Sequence, residues 1–172
     1  MPRSSGRILE VMSADDAISA SDPIREFRGD LDAMQVAEVL RQSPEAARWS
    51  EAELRELHSL AGMTAFLSER GGVLSGVVFG RVVLDEAEIL NLAVAPASRR
   101  GGEGRRLVLR LLEDFRAKGV SRVFLEVRES NKVAIAFYER LGFGAVGERK
   151  DYYQHPREGA LVMEVWLKES TE

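Results

Sequence analysis

Three short apolar runs follow one another almost without pause between residues 63 and 94, and the hydrophobic period then changes from two to about 3.6. The runs are Met63–Glu69, Leu74–Leu84 and Glu88–Val94, joined by Gly71-Gly72 and by the polar turn Asp85-Glu86. Connections this short join antiparallel neighbours. Beyond Pro96, Leu107, Val108, Leu111, Leu112 and Phe115 form one helical stripe, closed by Lys118 and Gly119. That helix separates the third run from the next strand-like run, Arg122–Val127, and a helical crossover leaves the strands it joins parallel. A meander with one parallel neighbour is an α/β fold built on a mixed, mostly antiparallel central sheet.

The flanking segments fill out this plan. Ile24-Arg25-Glu26-Phe27 alternates like a strand, and Asp30 is placed to cap a helix from about Leu31 to Arg41. Ser50 and Glu53 form a capping box, opening a helix with Leu54, Leu57 and Leu60-Ala61 on one face and Gly62 at its end. Ser130 or Asn131 caps a later helix whose inner face reads Val133, Phe137 and Leu141. Phe143–Arg149 and Ala160–Leu167 supply the last strands. The total is about seven strands flanked by about four helices. Residues 1–22, rich in Ser, Ala and Asp, read as a flexible leader, and residues 23–172 as one domain.

Composition removes several chemistries. The 172 residues include no cysteine, so disulfides and thiol nucleophiles are excluded, and the 2 histidines are not in zinc-ligand spacing. A metal is not expected. The net charge of −4 argues against a nucleic-acid binder, and no apolar run reaches the roughly 20 residues that span a bilayer. The expected location is cytoplasmic, without nucleic-acid or membrane partners, as a monomer or weak homodimer.

Two clusters could carry chemistry. Arg99-Arg100-Gly101-Gly102-Glu103-Gly104-Arg105 lies between a strand and a helix, where glycine backbone N–H groups, a helix N-terminus and two arginines favour a pyrophosphate. It lacks the Gly-Lys-Ser/Thr of a Walker A loop, and a turn of this kind also needs glycine for steric reasons alone. The side chain of Glu103 is expected to point outward, leaving only its backbone N–H toward the ligand. The second cluster is Glu126, Asn131 and Tyr138. Each has an ordinary reading as well: a solvent-facing strand residue, a helix cap and a core tyrosine.

Taken together, Leu125-Glu126-Val127-Arg128, Ser130-Asn131 and Ala134–Phe143 closely resemble the GNAT acetyltransferase superfamily. Within it they look like the ribosomal-protein-alanine N-acetyltransferases. Val82–Ala87, Asn91–Val94, the Arg-x-x-Gly-x-Gly pattern of Arg99–Gly104, Arg149–Tyr153 and Ala160–Met163 extend the resemblance, which spans roughly Ala37 to Leu167. It implies acetyl-CoA as co-substrate. Backbone groups of Leu92, Ala93 and Val94 would meet the pantetheine and the acetyl carbonyl, and Arg100, Gly101, Gly102, Glu103, Gly104 and Arg105 the pyrophosphate. Asn131 would bond the pantetheine, Glu126 would act as general base, directly or through water, and Tyr138 as general acid. The implied acceptor is a protein N-terminus, with a ribosomal protein's N-terminal alanine the named candidate. A small amine, a lysine side chain, or a non-catalytic acyl-CoA-binding role are the alternatives. Glu158-Gly159 departs from the family's usual Glu-Asp, and Arg48 from its Pro, both on the acceptor side.

Overall fold

The computed structural model describes residues 23–167, so the leader expected over residues 1–22 lies outside the described residues. The chain runs β1 (Ile24–Glu26), α1 (Ala33–Arg41), α2 (Glu51–Ser59), β2 (Met63–Arg70), β3 (Val73–Val83) and β4 (Glu86–Val94). It continues through α3 (Glu103–Ala117), β5 (Arg122–Arg128), α4 (Lys132–Arg140), β6 (Gly144–Gln154) and β7 (Arg157–Trp166). The strands form one sheet in the order β1-β2-β3-β4-β5-β7-β6. Every pairing is antiparallel except β4 with β5, the parallel pair that the crossover through α3 requires.

Alternation divides the apolar residues between the two faces. Phe66, Val78, Ile89, Leu125 and Met163 join the α3 stripe, with Tyr138 and Leu141 of α4, in one buried cluster. Leu67, Val77, Phe79 and Ala93 pack against α1 and Leu54 of α2 in the other. The five α3 residues expected inward are all buried. β3 receives this helix through two glycines: a Cβ on Gly76 would lie 2.8 Å from Leu107 Cδ1, and one on Gly80 would collide with Phe115. The capping box also forms, with Ser50 N–H donating to Glu53 at 2.7 Å and Glu53 N–H to Ser50 Oγ at 3.3 Å.

Several boundaries differ from the sequence reading. The first helix is a 3-10 turn, Gly29–Leu31, followed by α1, because Asp32 rather than Asp30 occupies the junction. Asp32 makes no cap bond to α1; its carboxylate takes Arg28 N–H at 2.7 Å and the guanidinium groups of Arg25 and Arg28 at 2.8 and 3.0 Å. On α2 only Leu54 is buried, and Leu60 turns outward where the helix has already ended. On α4 Phe137 and Leu141 pack on the core as expected, joined by Ala134 and Tyr138, but Val133 is 81% exposed. Asn131 Oδ1 accepts Ala134 N–H at 3.1 Å, which fixes where the helix starts. β4 begins two residues earlier than expected, at Glu86, and β6 continues past Arg149 to Gln154.

Asp32 is 1% exposed, and despite the cost of burial its two arginines and the Arg28 N–H hold its carboxyl well below the usual carboxylate range. A depressed folded pKa means stabilisation that is present above the unfolded value and lost as pH falls through the folded one. Asp32→Asn should therefore lower unfolding free energy by about 2 kcal/mol at pH 7. Urea titrations of both proteins should show that difference narrowing as pH drops below the ordinary Asp range.

Candidate functional site

The sheet opens at its centre. Parallel pairing of β4 with β5 starts at Glu86↔Arg122 and stops at Ile89↔Leu125. On the far side of β4, Phe79 pairs with Asn91 while Gly80 pairs with Ile89, so Leu90 is a bulge that bends the strand. Asn91 holds the bend by bonding the Ala47 backbone twice, Nδ2 donating at 2.9 Å and Oδ1 accepting at 3.2 Å. β5 meanwhile stays paired with β7 along its whole length, Arg122↔Trp166 to Arg128↔Ala160. The inner edges of Leu90–Val94 and Glu126–Arg128 thus separate, leaving backbone polar groups that a polar, amide-bearing ligand would satisfy. Leu92, Ala93 and Val94 lie on this edge.

At the outer end of the gap, α3 begins on Gly102, which is left-handed at φ 77° and offers no side-chain cap. Its first backbone bond is Arg106 N–H to Gly102 carbonyl at 3.0 Å. The preceding N–H groups, Glu103 to Arg105, therefore point out of the helix end, where an anion is favoured. Arg100 is also left-handed, at φ 64°, and exposed, and Arg99 Nε is tied to the Val94 carbonyl at 3.0 Å. Glu103 departs from expectation. Its side chain is buried rather than turned outward, accepting a hydrogen bond from Ser75 Oγ and facing Arg70 at 3.4 Å. The carboxylate is thereby drawn back onto β2 and β3 and opposed by a cation, which leaves the N–H groups of the helix end as the anion's partners.

Glu126 is the first β5 residue beyond the last β4 pair. Alternation sends Val123, Leu125 and Val127 into the α3 side, so Glu126 faces the opposite side of the sheet. There it lines a cavity of about 430 Å³ with Arg81, Glu88, Phe124 and Arg149. The carboxylate is 14% exposed and pairs with Arg149 Nε at 3.0 Å. Tyr152 donates its hydroxyl to Glu126, and that bond, with partial burial, pushes the phenol up to about 12. A larger groove of about 1260 Å³ runs along α1 past Trp49 and Ala95–Ser98, without either Glu126 or Tyr138.

Tyr138 sits on the other face. It is 8% exposed, edge-on to the rings of Phe137 and Phe143 at 5.0 and 5.5 Å, and burial pushes its pKa well above the ordinary phenol value. It stays protonated throughout the neutral range. Glu126 and Tyr138 are thus not neighbours on one surface: they lie on opposite faces of the sheet. Asn131 is a helix cap, as one of its two readings has it, which leaves its amide nitrogen to donate elsewhere.

The β6–β7 hairpin supplies residues that periodicity did not single out. Arg149 pairs with Ala160 and Tyr153 with Glu158, so residues 150–152 face Gly159 alone, and Asp151 is left-handed at φ 52°. This bulge brings Tyr152 to Glu126. Arg128 fixes the hairpin tip: it stacks 4.0 Å over Tyr153 and donates to the Pro156 and His155 carbonyls at 3.1 and 3.2 Å and to Glu158 at 2.8 Å. A Cβ on Gly159 would lie 2.5 Å from Glu129 Oε1, so the small residue that departs from the family pattern makes room for Glu129. Among the described residues no cluster of His, Cys, Asp or Glu could hold a metal, and no helix is long and apolar enough to cross a membrane.

Residues 33–143 match the model of the acetyltransferase (GNAT) family. The chain is 36% identical over 126 residues to the [ribosomal protein bS18]-alanine N-acetyltransferase of Escherichia coli strain K12, covering 72% of this chain and 84% of that protein. Its counterpart in Haemophilus ducreyi is 31% identical over 131 residues, 74% of this chain and 90% of that one. Among solved structures, the Escherichia coli ribosomal-protein-alanine N-acetyltransferase superposes with a TM-score of 0.78 at 31% identity, over 88% of this chain and 97% of that one. Ard1 from Thermoplasma volcanium gives 0.78 at 28% identity, over 86% and 99%.

Arg128 holds the hairpin through one ring and three oxygen atoms. Arg128→Ala should therefore raise amide exchange across residues 152–158 by about tenfold, with α3 unchanged, as read by hydrogen–deuterium exchange.

Proposed function

The chain belongs to the GNAT acetyltransferase family, and from that premise we propose that it acetylates the α-amine of a protein N-terminus, a ribosomal protein's N-terminal alanine foremost. The observation that carries this reading is the gap between β4 and β5, with Glu126 the first β5 residue beyond the last pair. The relatives named for N-terminal alanine acetylation support the choice of acceptor.

Acetyl-CoA, when bound, supplies the thioester whose acetyl carbon the amine attacks. The N–H groups at the start of α3 suit its pyrophosphate, and the unpaired edge of Leu92–Val94 suits its pantetheine amides and acetyl carbonyl. Asn131, whose amide nitrogen is not used by its cap bond, would donate to the same arm. An N-terminal amine has a pKa of about 8, so roughly a tenth is neutral at pH 7 and one proton must leave before attack. Glu126, which pairs with Arg149 at 3.0 Å, takes that proton directly or through water. The nitrogen releases its second proton to solvent water after the C–N bond forms. As the C–S bond breaks, the phenol of Tyr138, still protonated because it is buried, gives its proton to the departing sulfur. No residue of the chain is acylated on this route.

The decisive assay is CoA release with short peptides differing in their first residue, with small amines as controls. Turnover confined to free-α-amine peptides supports the reading; turnover on small amines alone overturns the acceptor assignment. In the same assay Glu126→Gln should lower kcat about 100-fold at pH 7, the loss shrinking toward pH 9 as the amine becomes neutral without help. Acetyl-CoA affinity by calorimetry should be unchanged. Tyr138→Phe should lower kcat about tenfold or more, uniformly from pH 6 to 9, because the buried phenol does not titrate there.

A further inference from the structure

A buried carboxylate stands where the cofactor's negative charge would arrive. Glu103 is the first residue of α3, its own N–H is one of those that point out of the helix end, and its side chain is 3% exposed. A carboxylate so close to a pyrophosphate repels it unless a cation cancels the charge. The chain brings that cation from a distant strand. Arg70, the last residue of β2, holds its guanidinium 3.4 Å from the Glu103 carboxylate. The same guanidinium packs against the loop, since a Cβ on Gly101 would lie 3.0 Å from Arg70 Nη2.

The carboxylate also has a bracing task. It accepts the hydroxyl of Ser75 on β3, a buried residue with Ser68 Oγ 3.3 Å away. The Ser75 carbonyl accepts Ala95 N–H at 2.7 Å, directly after the Leu92–Val94 edge. Ser75 thus ties the end of β4 through its carbonyl and the start of α3 through its hydroxyl. These are the segments that suit the pantetheine and the pyrophosphate, so the Ser75–Glu103 bond sets the spacing between the two halves of the cofactor's seat.

We propose that Arg70 is a positioning residue of the cofactor site: it cancels the charge of Glu103, so that the carboxylate braces the phosphate loop without repelling the pyrophosphate. This rests on the acetyl-CoA reading of the loop and adds to it a residue 33 positions before Glu103. Arg70 acts through Glu103 and does not touch the ligand. Removing Arg70 alone leaves the pyrophosphate facing an unopposed negative charge. Removing both charges does not, because a glutamine at position 103 still accepts the Ser75 hydroxyl.

The test is calorimetric titration with CoA of wild type, Arg70→Met, Arg70→Lys, Glu103→Gln and the double variant Arg70→Met/Glu103→Gln, with melting temperatures to establish that each is folded. Arg70→Met should weaken CoA binding about tenfold at low salt, and the ratio to wild type should fall to about threefold near 0.5 M salt, where charges are screened. Arg70→Lys should recover most of the loss, and the double variant should bind within about twofold of wild type. Glu103→Gln alone, which keeps the cation and the Ser75 bond, should bind CoA about threefold more tightly than wild type. Equal or weaker binding by Glu103→Gln overturns the proposal, whether or not Arg70→Met folds. So does an Arg70→Met loss that is the same at both salt concentrations or persists in the double variant, since that marks a loop that has lost its shape. If wild type binds no CoA, the acetyl-CoA reading fails and the proposal with it; if wild type and Arg70→Met bind CoA equally well, the proposal alone fails.

Discussion

Everything else in this molecule is arranged around two strands that stop pairing. β4 and β5 are held firmly on their outer sides, by β3 and by β7, and nothing in their sequences forbids the parallel ladder from continuing past Ile89 and Leu125. It ends because Leu90 is extra in the register with β3 and because Asn91 ties β4 to the Ala47 backbone. Two buried strand edges with unmatched polar groups would be costly in an ordinary core. Here it leaves an open slot between the two strands, and the helices pack on both faces of the sheet around it.

The charges follow the same logic. At one end of the slot the first turn of α3 gathers positive potential, and the single acidic side chain there, Glu103, is drawn inward onto Ser75 and Arg70. At the other end carboxylates collect on β4 and β5 and cations approach from β3 and β6. The hairpin of β6 and β7 closes this end. Its bulge over Gly159 carries Tyr152 to Glu126, and Arg128, two residues after Glu126 on the same strand face, fixes the tip. Glu126 and the hairpin that frames it are thus anchored to one short strand.

The sequence by itself determined the element order, the single parallel pair, the buried stripe of α3 and the capping box of α2. All four are local or follow from chain connectivity, so period and spacing suffice. It also located the glycine turn before α3, because a left-handed Gly102 and an exposed helix end are written in the residues themselves. Only tertiary structure decided which face of α4 turns inward, with Val133 out and Tyr138 in, because that face is set by the core it packs against. The same holds for the inward turn of Glu103, since its partners on β2 and β3 are 33 and 28 residues away. The partners of Glu126 were beyond reach for the same reason: Arg149 and Tyr152 arrive on a different strand. Their meeting depends on register and on two bulges, features that hydrophobic periodicity does not encode because each is fixed by hydrogen bonds between strands.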